Sequence, residues 1–119
     1  MLEEITSLDR CKAFINEVCS DTCYVDPHYL YDSNNLYGAF EKKDQHVYAY
    51  VEDGKINGIF TLLILPTEKY VETLIALSKS EHAYRELFEY LEKNYKGYRC
   101  DFVINPKNIL LKNILTSKN

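Results

Sequence analysis

Two β-rich runs joined by Asp53-Gly54 constrain this sequence more than any other feature. His46 to Glu52 and Ile56 to Leu65 are built from residues that pack well on a pleated surface. Asp-Gly takes the positive φ angles of a two-residue hairpin turn, so the runs must be antiparallel neighbours. The stretch Ile59-Phe60-Thr61-Leu62-Leu63-Ile64-Leu65 is apolar almost throughout, which predicts a central strand covered on both faces. Pro66-Thr67-Glu68 ends it, and Tyr70 to Leu77 reads as a third long strand.

Helices must supply the cover. Leu2 to Ile5 reads as a short first strand, and Thr6-Ser7-Leu8-Asp9 resembles a capping box. Leu8, Cys11, Phe14, Ile15, Val18 and Cys19 recur at helical spacing, predicting a helix over residues 7–20. From Asp21 to Asn35 the chain is polar and Tyr-rich, and Pro27 forbids a regular helix there. A short helix is expected around Leu36 to Glu41, with Gly38 a weak point. Beyond the third strand, Ser78-Lys79-Ser80-Glu81 has the pattern of a cap and opens a helix near Lys79. Tyr84, Leu87, Phe88, Leu91 and Tyr95 form its apolar stripe, Arg85–Glu89 forms an i,i+4 pair on the other face, and Gly97 stops it. Tyr98 to Ile104 is a strand. Asn105-Pro106 is expected to cap a last helix that turns Ile109, Leu110, Ile114 and Leu115 inward. The order is β-α-α-β-β-β-α-β-α: mixed α/β (an α+β mixed sheet), with a hairpin-built half and a parallel βαβ half.

A length of 119 residues fits one domain spanning 1–119, and equally the first half of a longer protein. The net charge of −4 offers no basic face to nucleic acid. No apolar run reaches the ~18 residues of a membrane span. Met1-Leu2-Glu3-Glu4-Ile5 carries no secretory pattern, which points to the cytoplasm and to reduced thiols. Cys11 and Cys19 read as small core hydrophobes. Cys19, Cys23 and His28 have a spacing loosely compatible with zinc but no fourth ligand, so no metal is expected. Nucleophile triads, Walker loops and GxGxxG fingerprints are absent from the sequence.

The element order and its junctions resemble the GNAT N-acetyltransferase superfamily. The likeness rests on Val51-Glu52-Asp53-Gly54-Lys55-Ile56-Asn57-Gly58-Ile59, similar to the family's strand–turn–strand. It continues through Ala76 to Leu91, the strand-to-helix junction, and through Asn105-Pro106-Lys107-Asn108-Ile109-Leu110-Leu111, similar to the start of the family's fourth helix. The first 45 residues match in element order alone. The resemblance implies acetyl-CoA held between two splayed parallel strands and an amine as acceptor. Backbone groups of Ile75, Ala76 and Leu77 would meet the pantetheine arm, and Lys79 and Ser80 would meet phosphate at the helix opening. Asn105 would also belong to the cofactor site. The family's Gln/Arg-x-x-Gly-x-Gly/Ala positions fall on Lys79, His82 and Tyr84, its late Tyr on Lys112, and its Gly-aromatic pair on Thr116-Ser117. Two further strands follow the last helix in the family. The resemblance therefore implies that this chain lacks them, and that its edge at Tyr98 to Ile104 is covered by a second copy, a missing C-terminal domain or another chain.

Each candidate residue also has a plainer reading. Glu72, where the family often places a general base, is equally a solvated Glu near a strand end. His82 can titrate near neutrality and act as a base, or stand idle on a helix surface. Lys79 and Ser80 suit phosphate or an ordinary capped helix start. Tyr24, Tyr29, Tyr31 and Tyr37 can line an acceptor pocket or pack at a core rim. Asp53, Glu68 and Glu72 would favour a cationic acceptor. Two functions follow from different classes: an acetyl-CoA-dependent N-acyltransferase, or a GNAT-like domain that has lost catalysis and serves as a binding, regulatory or dimerisation module.

Overall fold

In a computed structural model, residues 1–117 are described. Asp53 and Gly54 take φ angles of 53° and 76°. Their turn joins β2 (Gln45–Glu52) to β3 (Lys55–Leu65), with Glu52 opposite Lys55. β1 (Leu2–Ile5) pairs with the outer side of β2, and β4 (Tyr70–Leu77) with β3, both antiparallel. β5 (Arg99–Phe102) lies parallel to β4 at the end of the sheet, whose order is β1-β2-β3-β4-β5. The mixed sheet thus has the hairpin half and the parallel half expected of the sequence, and its last strand is β5 among the described residues.

Each face carries its own core. Over one lie α4 (Glu81–Asn94) and α5 (Ile109–Ser117), burying Phe60, Leu62, Tyr84, Leu87, Leu91 and Ile114. Over the other lie α1 (Lys12–Val18), α2 (Pro27–Tyr31) and α3 (Asn34–Gly38), which close on Val47, Ile59, Ile75 and Leu77. α4 approaches β3 closely at Gly58: a Cβ there would stand 3.2 Å from that of Ala83. Between Thr61 and Leu62 the β3–β4 register shifts, so that Leu74 is the extra residue and packs on the same side as Ile75.

Five local expectations are corrected. α1 starts at Lys12 rather than near residue 7, and Cys11 before it caps nothing with its side chain. Pro27 opens α2 instead of forbidding it: at the first helical position its missing N–H costs nothing, and Asp26 caps the turn by accepting from Tyr29 N. α4 begins at Glu81, because the cap is Ser80, whose Oγ accepts from Ala83 N at 3.2 Å. α5 begins at Ile109, capped by Asn108, whose Oδ1 accepts from Leu111 N at 3.1 Å; Asn105 is not the cap. Arg85 also turns back to Glu81, at 2.7 Å, rather than forward to Glu89.

Candidate functional site

β4 and β5 stay paired only from Tyr70 opposite Arg99 to Thr73 opposite Phe102. The last bond between them is Val103 N to Thr73 O, 3.0 Å. β4 then runs on to Leu77 beside β3 but without β5, and the two parallel strands form a fork. The fork is filled by the chain's own residues 22–26. Val25 makes an antiparallel bridge with Leu77. Asp26 Oδ1 accepts from Ala76 N at 3.0 Å while Oδ2 accepts from Tyr29 N at 3.0 Å. From the other prong, Asn105 Nδ2 donates to both Thr22 O and Val25 O, each at 3.0 Å. Lys79 Nζ sits 5.9 Å over the Tyr24 ring, within cation–π range. The segment is tied to both arms.

Asp26 is the unusual member, a carboxylate left 2% exposed. Burial raises its pKa, and the N–H groups of Tyr29 and Ala76 oppose that rise by stabilising the charged form. Its alternatives for hydrogen bonding are few, so the two backbone donors fix where it sits.

Just past the fork, Tyr84 is wholly buried. Its hydroxyl donates to Ser78 O at 2.7 Å and accepts from Asn108 Nδ2 at 3.2 Å. Burial is the main cause that pushes this phenol up to about 12. Ser78 Oγ in turn donates to Asn57 O at 2.6 Å and accepts from Ser80 N at 2.9 Å. These bonds lock β3, β4, α4 and α5 together. Tyr84 stands on one of the family's small-residue positions, yet it places no bulk at the helix opening, because its ring points into the core.

The residues expected at a site are dispersed. Ala76 and Leu77 lie in the fork but their outward edge is engaged by Asp26 and Val25, while Ile75 is buried in the core under the first three helices. Lys79 and His82 are exposed, and Ser80 is the helix cap. Asn105 holds the filling segment. Glu72 lies at the closed end of the fork, opposite Asp101 on β5. The Tyr70 hydroxyl is 2.9 Å from Glu72 Oε1 and 3.0 Å from Asp101 Oδ2, and its one proton serves one carboxylate at a time. Desolvation and the two carboxylates push this phenol up to about 12. Asp101 and Tyr70 were not legible as partners of Glu72, because only the register of β4 on β5 brings them together.

Tyr24, Tyr29, Tyr31 and Tyr37 do not converge. Tyr31 is 90% exposed, whereas Tyr29 is half-buried beside Cys19, and the nearby cavity of about 280 Å³ is lined by His28, Asn35, Lys42, Gln45, Leu63, Leu74 and Ile75. Among the described residues no group of three or more His, Cys, Asp or Glu is placed to hold a metal ion, Cys19, Cys23 and His28 included. None of their helices is long and apolar enough to cross a membrane.

No protein-family model and no curated protein matches this sequence. Solved structures do share its fold. A tetramutant of the BH1408 protein from Bacillus halodurans superposes with a TM-score of 0.60 and 11% identity, over 99% of this chain and 91% of that one. An aminoglycoside acetyltransferase from an uncultured soil metagenomic sample, crystallised with sisomicin, gives a TM-score of 0.56 and 13% identity over 100% and 86% of the two chains. At such identities the likeness carries the fold: mixed α+β, with a five-stranded mixed sheet compatible with a GNAT-like one. Acetyl-CoA, which that fold implies, does not fit the residues in this arrangement. The donor at Ala76 N and the edge at Leu77 that would meet a pantetheine arm are taken by Asp26 and Val25.

Proposed function

We propose that this chain is a GNAT-like domain working as a non-catalytic module. The observation that carries the reading is the filled fork: residues 22–26 make, within the chain, the backbone contacts to β4 that a ligand's arm would otherwise make. The helix opening agrees, since one of its register positions holds His82 where the family carries a glycine for close approach to phosphate. Thermal melting with and without CoA or acetyl-CoA tests this. A ligand at 100 times its dissociation constant adds ~2.7 kcal/mol, a shift of several degrees for a domain this size. No shift at millimolar ligand is expected; a shift of that size overturns the reading.

One observation favours a second reading, acetyl-CoA-dependent transfer to a cationic amine. Glu72 and Asp101 stand side by side at the closed end of the fork, where carboxylates would attract an ammonium and accept its proton. That activity requires residues 22–26 to leave, and it predicts the melting shift that the first reading excludes.

A further inference from the structure

β5 ends the sheet, and no described strand pairs with its outer side. Arg99 and Val103 turn their N–H groups inward, to Lys69 O at 2.9 Å and Thr73 O at 3.0 Å. Backbone groups alternate along a strand, so Cys100 and Phe102 turn theirs outward. The side chains of these two residues, with Phe88, Leu91, Tyr95 and Tyr98, line a cleft of about 700 Å³ beside the same edge. An open edge next to a mainly apolar cleft, which Glu92, Lys96 and Asp101 also line, is a template for an added strand.

Charge identifies the occupant. Arg99 and Asp101 flank Cys100 and bear opposite signs; they pair with each other at 3.2 Å, and Asp101 also faces the Tyr70 hydroxyl, yet their side chains stay 78% and 39% exposed, so a facing copy can share both charges. A two-fold axis through Cys100 sets every residue opposite the one equally far on its other side. Arg99 then meets the partner's Asp101, and Asp101 meets the partner's Arg99. The same axis matches outward-turned Cys100 with the partner's Cys100, so both exchange N–H and C=O bonds. Slipping the register by one residue would lose both matches. Two-fold symmetry also makes the strands antiparallel and keeps the two clefts on one face of a continuous sheet.

We propose that two copies of this chain pair along β5, antiparallel about a two-fold axis at Cys100. In such a pair the Cys100 Cα atoms lie about 5.5 Å apart. A short bismaleimide therefore joins the two thiols. Sedimentation equilibrium over a concentration series, with that cross-link as second readout, tests the pairing. We expect a dimer whose cross-link disappears in Cys100→Ser. Arg99→Asp sets like charges together twice and should weaken association about tenfold, as should Asp101→Arg. The double variant Arg99→Asp/Asp101→Arg reverses both pairs and should restore the affinity. Circular dichroism melts confirm that each exposed substitution leaves the fold intact. A chain monomeric throughout the series overturns the proposal. So does a dimer indifferent to the single reversals, or a chain that gains mass only with a strand from a different protein.

Discussion

The two halves of the sheet are closed by different means. In the hairpin half, β2 and β3 are paired from Gln45 opposite Leu63 to Glu52 opposite Lys55, and the residues that dictate the pairing lie within the turn and its flanks. In the parallel half, β4 and β5 share only the stretch up to Thr73 and Phe102, and the rest of β4 is completed by Val25 and Asp26. Asp26 and Ala76 are 50 residues apart in sequence. A closed ladder leaves a strand nothing to offer a ligand. A fork offers backbone donors, and here the chain itself consumes them. Packing therefore supports both halves, and the second depends in addition on a few polar contacts that close its fork.

The largest effect should come from the packed half. Phe60 on β3 is wholly buried against the Tyr84 ring, with centroids 5.8 Å apart. Phe60→Ala removes both the transferred surface and the ring contact, and should cost ~3–5 kcal/mol in urea unfolding. A loss under ~1 kcal/mol would mean that this core is not what holds the hairpin half together.

Asp26→Ala attacks the fork instead. It strips the acceptor from Ala76 N and Tyr29 N and removes the cap of α2, for an expected ~2–3 kcal/mol at neutral pH. Its pH dependence has a definite sign. Burial raises the folded-state pKa of Asp26 above the 3.8 of a free aspartate, so the folded chain holds the proton more tightly than the unfolded one. The wild type therefore gains stability as pH falls through the raised pKa toward 3.8, and loses it again as pH rises. Asp26→Ala lacks that response, so the gap between the two proteins should widen on acidification. Urea titrations at a series of pH values measure it, and a gap that narrows would place the ionised form, not the protonated one, as the favoured state in the fork.

The same contrast explains what sequence can reveal. The hairpin, the apolar run of β3 and the stripe of α4 were legible because turn chemistry and periodicity are local properties. So was the parallel arrangement of β4 and β5. The α2 helix was legible in principle, since Asp26-Pro27 is a cap followed by a first-position proline, but proline also reads as a breaker. Asn105 before Pro106 has the pattern of a helix cap, but Asn108 three residues later holds the helix. Of the candidate site, Glu72 could be singled out as an acid on a strand. Its neighbours Tyr70 and Asp101 depended on register, and the filling of the fork on contacts no window of sequence contains.

Asn105 provides the finest separation of the two halves. Its amide nitrogen donates twice, to Thr22 O and Val25 O, and its carbonyl oxygen accepts from Lys107 N at 3.0 Å. Asn105→Ala deletes these bonds at a half-buried position, where water can replace part of what is lost. The expected cost is ~0.5–1.5 kcal/mol. Its signature is local: faster amide exchange at Ala76, whose N–H is bonded into the fork, with β2 and β3 unchanged, because opening the fork breaks no bond of the hairpin ladder. Exchange that quickens equally in both halves would show that the fork does not open separately, and that the sheet behaves as one cooperative unit despite its two ways of closing.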